Sequence, residues 1–417
     1  MAGKPCDIII PGNVKHRLDW LRDTVQGQLI LQGLHPRQRQ HRLRCACQPP
    51  GQPPAEMVIR QRDNSYHIAR MPDSGHRHVR GECDFFSEKS HTADSGSGEY
   101  EAAILHHGDL TEIKINFALR KAALPDLDPL QTVRVTREGG TRRAAVGMGG
   151  LLSHLWNEAA INTWNGNQGR KWETLVNDVH AVADGTTLGQ RPLRDHLFVQ
   201  AAEQQPWLPP TPADPATSQQ RFLLLFKLHT ARVTDLGGAW LKTSRGDTLF
   251  IKKDELDALL RSHRAARAEF ARRAAKTYQA IDHGPQLLCL ALAEWQTIAR
   301  RPCLVVQQAT LMLASWRFIP VESSYELQVA DLLVAQRRTF TKPLRYDAGV
   351  DEVFPDFILG DAGGDGVPME VYGVSGNRRY EHRKRIKRDY YVSSGLPYWE
   401  WTPKQQKDVP PFPAQRR

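Results

Sequence analysis

"FPDFILGDAGGDGVPMEVYGV", running from Phe354 to Val374, decides how this chain is read. It contains two apolar runs of strand length joined by a Gly/Asp loop, and each run carries one carboxylate, Asp356 or Glu370. A carboxylate inside an apolar strand costs free energy unless it is paired, protonated or holding a cation. Asp356 and Glu370 are therefore candidates for chemistry. Upstream, "PVESSYELQVADLLVAQRR" predicts a helix capped near Ser323, with Leu327, Ala330, Leu333 and Val334 recurring at helical spacing. Glu326 lies one turn before Ala330 and can lean from the packed stripe toward the sheet edge. Downstream, "RRYEHRKRIKRDYY" predicts a helix with seven cations, Arg378, Arg379, Arg383, Lys384, Arg385, Lys387 and Arg388, against Glu381 and Asp389. That imbalance favours contact with phosphate over an ordinary solvated face, with Arg383 and Lys384 as backbone contacts.

This order of helix Glu, P-D, a second strand with Glu, and a basic helix resembles the PD-(D/E)xK nuclease superfamily over roughly residues 320–405. The resemblance implies a restriction-endonuclease-like α/β domain in which Glu326, Asp356 and Glu370 hold Mg²⁺. The metal would activate a water for in-line attack on a phosphodiester of DNA. The chain departs from the pattern two residues after Glu370, where the superfamily has lysine and this sequence has Tyr372. Tyrosine supplies no cation, so the resemblance directs attention to the following helix, with Lys387 as first candidate and Lys384 as second. Arg345 and Asp347 in "KPLRYD" read either as a phosphate contact and an extra ligand or as a turn salt bridge. A catalytically inactive nuclease fold that binds DNA as an accessory factor of conjugative transfer is the alternative.

Together, "CAC…HVRGEC", "LLSHLWNEAAINTW" and "YELQVADLLVAQRRTFTKPLRYD" with "FPDFILGD…MEVYGV" are similar to a large family of unknown function. That family is carried on integrative conjugative elements and plasmids of Gram-negative bacteria. The similarity covers nearly the whole chain and implies a mobile-DNA context.

At 417 residues the chain is long enough for two to four packed modules. It has 56 Lys+Arg against 46 Asp+Glu, a net charge of +10, and 40% hydrophobic residues, which fits packed domains with a polyanionic partner better than a disordered polycation. Six cysteines are too few and too scattered for a disulfide scaffold. The N-terminus has only a three-residue apolar run, and no stretch of about 18 apolar residues occurs. These features predict a cytoplasmic location with no membrane insertion, and a mean hydropathy of -0.51 agrees.

Composition divides the chain into five segments: a loop-rich, zinc-ribbon-like module at 1–100, a helical domain at 101–203, a Pro-rich linker at 204–220, a mixed α/β region at 221–318 and the nuclease-like domain at 319–417. The overall class is mixed α/β. In the first segment "EMVIRQRDNSYHIARMP" predicts a hairpin, and "SEKSHTADSGSGEY" reads as a connection. Cys45, Cys47, His78 and Cys83, with His76 as substitute, can reach tetrahedral Zn²⁺ geometry around that hairpin. With no open position suggested, the zinc would be structural, stapling a segment with little apolar material. An adaptor that recruits a protein partner through this module is a third functional class. Further along, "DELDALLRSHRAARAEFARRAAKTYQAI" predicts one long basic helix capped by Asp254. Cys289 and Cys303 fall in apolar strands and read as core residues.

Overall fold

The computed structural model describes residues 7–62, 65–72, 74–79, 82–86, 103–121, 145–166, 169–201, 206–215, 217–344, 354–364, 366–373 and 378–416. The connection at 87–100 and the Arg345/Asp347 pair lie outside the described residues. The architecture is mixed α/β.

The N-terminal segment, expected to be loop-rich around one hairpin, carries a five-stranded antiparallel sheet. Its strands are β1 (Asp7–Ile10), β2 (Val14–Arg17), β3 (Leu43–Cys45), β4 (Glu56–Arg62) and β5 (Ser65–Arg70), in the order β2-β1-β3-β4-β5. Two helices, α1 (Leu18–Asp23) and α2 (Val25–Leu34), cover it and bury Leu21 and Leu31 against Ile8, Leu43, Met57 and Ile59. The predicted hairpin is β4 and β5, paired from Met57↔Arg70 to Arg62↔Ser65. Sequence patterning missed the rest because strands such as "VKHR" are exposed and carry no alternation. Arg70 ties the module to the helical segment: it donates to the Phe85 carbonyl at 3.1 Å and lies 3.4 Å from Glu158.

A small sheet comes next, built from β6 (Ile104–His107), β7 (Leu110–Ile113), β9 (Thr186–Leu188) and β10 (Arg191–Pro192) in the order β10-β9-β7-β6. The two helices expected from "GLLSHLWNEAAINTW" and "WETLVNDVHAVADG" are α3 (Met148–Glu158) and α4 (Trp172–Asp184), the second ending at Gly185. Their apolar faces pack on a third sheet, since Leu151, Leu155, Leu175 and Val179 share a core with Leu223, Leu225, Leu288 and Leu290.

That third sheet closes on itself. β12 (Phe222–Val233) pairs through its first half with β15 (Gln286–Ile298), and through its second half with β13 (Ala239–Thr243). The register shifts between Leu228 and Thr230, where the strand passes from one partner to the other. β14 (Thr248–Ile251) is antiparallel to β13 and parallel to β16 (Arg301–Ala314), which is antiparallel to β15. The result is a five-stranded barrel, with β11 (Leu197–Val199) added parallel to β12. Its interior holds Leu224, Phe226, Leu241, Leu249, Ile251, Cys289, Ala291, Val306 and Leu311. Between β14 and β15 the expected single basic helix is two: α5 (Lys253–Ser262) and α6 (Arg264–Ala274). They break at His263, with φ -124 and ψ 71, whose Nε2 meets Thr310 Oγ1 at 3.0 Å. Asp254 lies in the first turn; the capping position is Lys252 and no side chain caps it. The Pro-rich segment carries no helix in its described part, and Trp207 docks it in the barrel core, its Nε1 donating to Asp247 at 2.7 Å.

The last sheet runs in the order β20 (Trp399–Trp401), β19 (Val367–Val371), β18 (Phe357–Leu359), β17 (Phe340–Thr341), β8 (Thr163–Trp164). Helix α7 (Ser324–Ala335) precedes β17 (Phe340–Thr341), β18 (Phe357–Leu359) and β19 (Val367–Val371), which form an antiparallel meander. Helix α8 (Arg378–Ser393) then leads to β20 (Trp399–Trp401), parallel to β19. The fifth strand, β8 (Thr163–Trp164), comes from the helical segment, with Trp164 opposite Phe340. Residues 163–164 and 340–341 thus share one sheet. Two-residue strands leave no periodic signal in a sequence.

Candidate functional site

The acidic stretch and the helices around it converge on one end of this last sheet. Ser323 is the N-cap of α7, and its hydroxyl accepts the Glu326 N–H at 3.1 Å. Glu326 turns back toward the cap, where its Oε2 accepts the Glu322 N–H at 3.0 Å and its Oε1 lies 3.3 Å from Ser323 Oγ. This reciprocal pattern is close to a capping box. The same carboxylate receives Lys342 Nζ at 2.9 Å. Lys342 comes directly after β17 and its side chain is only 2% exposed. Burial pushes the Glu326 carboxyl up to about 7, against the attraction of Lys342. Burial alone would lower Lys342, but Glu326, Glu322 and Asp356 together hold it above the ordinary lysine value.

Asp356 sits just before β18 and brackets Glu370 in the neighbouring strand. Its N–H donates to the Met369 carbonyl at 3.0 Å, and its Oδ2 accepts the Val371 N–H at 2.7 Å. Glu370 lies between those two residues and is fully buried. Its Oε2 receives Lys387 Nζ at 2.7 Å and its Oε1 accepts the Tyr391 hydroxyl at 2.8 Å. Lys387 donates a second bond to the Phe354 carbonyl at 2.6 Å. Burial, and next the charge of Asp356, push the Glu370 carboxyl up to about 7, opposed by Lys387 and Tyr391. Lys387 and Tyr391 are one turn apart on α8, which aims both at the same glutamate.

Each glutamate therefore has its own lysine, with Asp356 acting electrostatically on both. With all three acids ionised, they and the two lysines would carry one net negative charge, which a divalent cation would turn positive and suited to a phosphate. The structure brings together Glu326, Asp356, Glu370 and Lys387 as singled out from sequence. Lys384 differs from the expectation of an exposed contact. It is buried, donates to Thr402 Oγ1 at 3.1 Å, and sits 4.5 Å from the Tyr372 ring centroid. Burial lowers its pKa. Arg383 is exposed on the outer side of α8. Lys342 and Tyr391 were not anticipated. A lysine within "FTKPL" was a faint signal for the first, because a cation beside an apolar strand needs a partner as much as an acid does.

The second constellation is in the N-terminal module. Cys45 ends β3, Cys47 lies two residues on, and His78 and Cys83 come from the segment after β5. Their ligand atoms all lie within 4.8 Å of one another. Cys45 Sγ is 3.6 Å from Cys83 Sγ, and His78 Nδ1 is 3.6 Å from Cys47 Sγ and 3.4 Å from Cys83 Sγ. A tetrahedral Zn²⁺ with its usual bond lengths requires about 3.8 Å between sulfurs and about 3.5 Å between sulfur and nitrogen. Three thiols and one imidazole at these separations could hold a metal such as zinc. Cys289 is buried in the barrel and Cys303 is half-buried on β16.

Among the described residues no helix is long and apolar enough to cross a membrane. No curated protein matches the chain. A family model does, over residues 25–205 and 254–404, which takes in the Cys₃His cluster, the helices beside the barrel and the whole acid–lysine site. The chain belongs to this family, described as proteins of unknown function (DUF1173).

Proposed function

We propose that the C-terminal sheet is the active centre of a Mg²⁺-dependent nuclease acting on DNA. One observation carries this reading: Asp356 bonds to both chain neighbours of the buried Glu370, and a lysine reaches that glutamate although position 372 is tyrosine. Asp356 and Glu370 are the proposed ligands of the metal, with Glu326 beside them. The cation would supply Lewis-acid activation of a water and neutralise charge on the phosphate. Glu326, held by its cap and Lys342, steadies the negative field around Asp356. Lys387, bonded to Glu370 and the Phe354 carbonyl, would supply the positive charge beside the reacting phosphate that Tyr372 cannot. The exposed Arg383 serves as a backbone contact. The net charge of +10 supports a polyanionic substrate, and similarity to proteins of conjugative elements supports mobile DNA in the bacterial cytoplasm as its setting.

The Cys₃His cluster is proposed as a structural zinc site, because four protein ligands leave no position for a substrate. A second reading has its own support. Both oxygens of Glu370 are already engaged, by Lys387 and Tyr391. That fits a DNA-binding accessory factor that no longer cuts. The experiment that separates them is a cleavage assay on single- and double-stranded DNA with Mg²⁺ or Mn²⁺. Wild type should cut, while Asp356→Ala and Glu370→Ala should bind without cutting. Wild type that binds but never cuts would leave the accessory reading, and wild type that does neither would leave the zinc-module adaptor.

A further inference from the structure

The barrel has an outer surface that the acid–lysine site does not use. On β13 and β14 the side chains of Ala239, Leu241, Leu249 and Ile251 point into the core, so Trp240, Lys242, Thr248 and Phe250 point outward. Trp240 and Phe250 are directly opposed in the register, with ring centroids 5.1 Å apart and planes tilted by 53°. Both are half-buried rather than sealed. Arg232 of β12 is the register partner of Trp240 on its other side, and Lys242 lies two residues along β13. Arg232, Lys242 and Lys252 are exposed, and none has an ion-pair partner among the described residues. Gly238, where the β12–β13 loop enters β13, lies against the Phe250 ring. At Gly238 a Cβ would lie 2.8 Å from the Ile251 carbonyl oxygen and 3.0 Å from the Phe250 ring. Beside it Leu236, 89% exposed, stands at the loop tip.

Two accessible aromatics flanked by these cations form a surface with a specific chemistry. Bases of a single strand stack on rings, while lysine and arginine follow its phosphates. A duplex hides its base faces and gains only the charge term. The barrel's connectivity points the same way. Five-stranded Greek-key barrels recurrently bind oligonucleotides on the outer face of their second and third strands and the loop joining the first two. Here these are β13, β14 and the 234–238 loop. Architecture alone would assign no function, and the assignment rests on where these residues are placed.

We propose that the outer face of β13 and β14 is a binding site for single-stranded nucleic acid, with Trp240 and Phe250 as stacking platforms and Arg232, Lys242 and Lys252 as phosphate contacts. The site is independent of the catalytic reading, and binding here does not require cleavage elsewhere.

The test uses the full chain and a fluorescein-labelled dT₁₅ in buffer without Mg²⁺, read by anisotropy. Wild type should bind dT₁₅ more tightly than a duplex of equal length. Trp240→Ala and Phe250→Ala should each weaken dT₁₅ binding by about 10-fold with little effect on the duplex, and Trp240→Phe should restore most of it. Thermal melting verifies that each variant is folded. Photocrosslinking with an iodouracil-substituted strand, read by mass spectrometry, should label the 240–250 peptide. The proposal is overturned if wild type does not bind dT₁₅, if both alanine variants bind it like wild type, or if the crosslinks fall outside the barrel.

Discussion

Replacing Glu370 by glutamine should change how the protein's stability depends on pH. Glu370 is fully buried, and its carboxyl is pushed from the ordinary 4.5 to about 7 by burial and by Asp356. Its folded-state pKa is raised. Between 4.5 and 7 the unfolded chain has released this proton while the folded chain keeps it, so each step up in pH favours unfolding. The stabilisation is fully present below the unfolded pKa and is lost as pH rises through about 7. The difference in pKa corresponds to about 3 kcal/mol between pH 4 and pH 8. Glu326 is also pushed up to about 7 and adds a loss of the same sign. Glu370→Gln keeps the shape and never ionises, so it removes one contribution and leaves the other. Urea unfolding from pH 4.5 to 8, followed by tryptophan fluorescence, should show the wild type losing more stability with rising pH than the variant, by an amount on the order of 3 kcal/mol. Parallel curves would show that Glu370 titrates as an ordinary exposed glutamate and refute the description of its surroundings.

Other consequences are open to simpler measurements. Purified protein should carry about one zinc per chain by elemental analysis, and Cys47→Ser should lower the metal content and expose the N-terminal sheet to protease. Ser323→Ala should cost about 1 kcal/mol in urea unfolding by removing the cap of α7, and should loosen Glu326. Lys342→Met should be destabilising by about 3 kcal/mol or more, because it leaves Glu326 buried and unpaired, and adding Glu326→Gln should recover part of that loss.

The acidic strands, the Ser323 cap and the Cys₃His set were legible in the sequence because each breaks a local rule: a carboxylate among apolar residues, a hydroxyl three residues before a glutamate, thiols at short spacing. Lys387 could be named because the tyrosine at 372 required a cation from elsewhere and the next helix is crowded with them. Lys384, three residues earlier and the second candidate from sequence, faces inward to Tyr372 and Thr402. Helical phase alone did not separate them. Lys342 and Tyr391 were missed because their partners are distant along the chain, sixteen and twenty-one residues away. The barrel was also hidden. Its strands were visible as apolar runs, but closure depends on β12 serving two partners, which pairs residues about sixty to seventy positions apart. The N-terminal segment was read as loop-rich apart from its β4–β5 hairpin because its other three strands are only three or four residues long.

The proposed nuclease chemistry depends most on Lys387 standing in for the lysine that Tyr372 replaces. Single-turnover cleavage of end-labelled DNA by wild type, Lys387→Met and the double variant Lys387→Met/Tyr372→Lys, with Mg²⁺ titrated, measures this directly. Lys387→Met should slow cleavage by about 100-fold or more with DNA affinity little changed, since a preorganised cation acts on the transition state. Lysine at position 372 should then restore part of the rate. Equal rates for wild type and Lys387→Met, or no metal-dependent cleavage by wild type, would contradict the assignment.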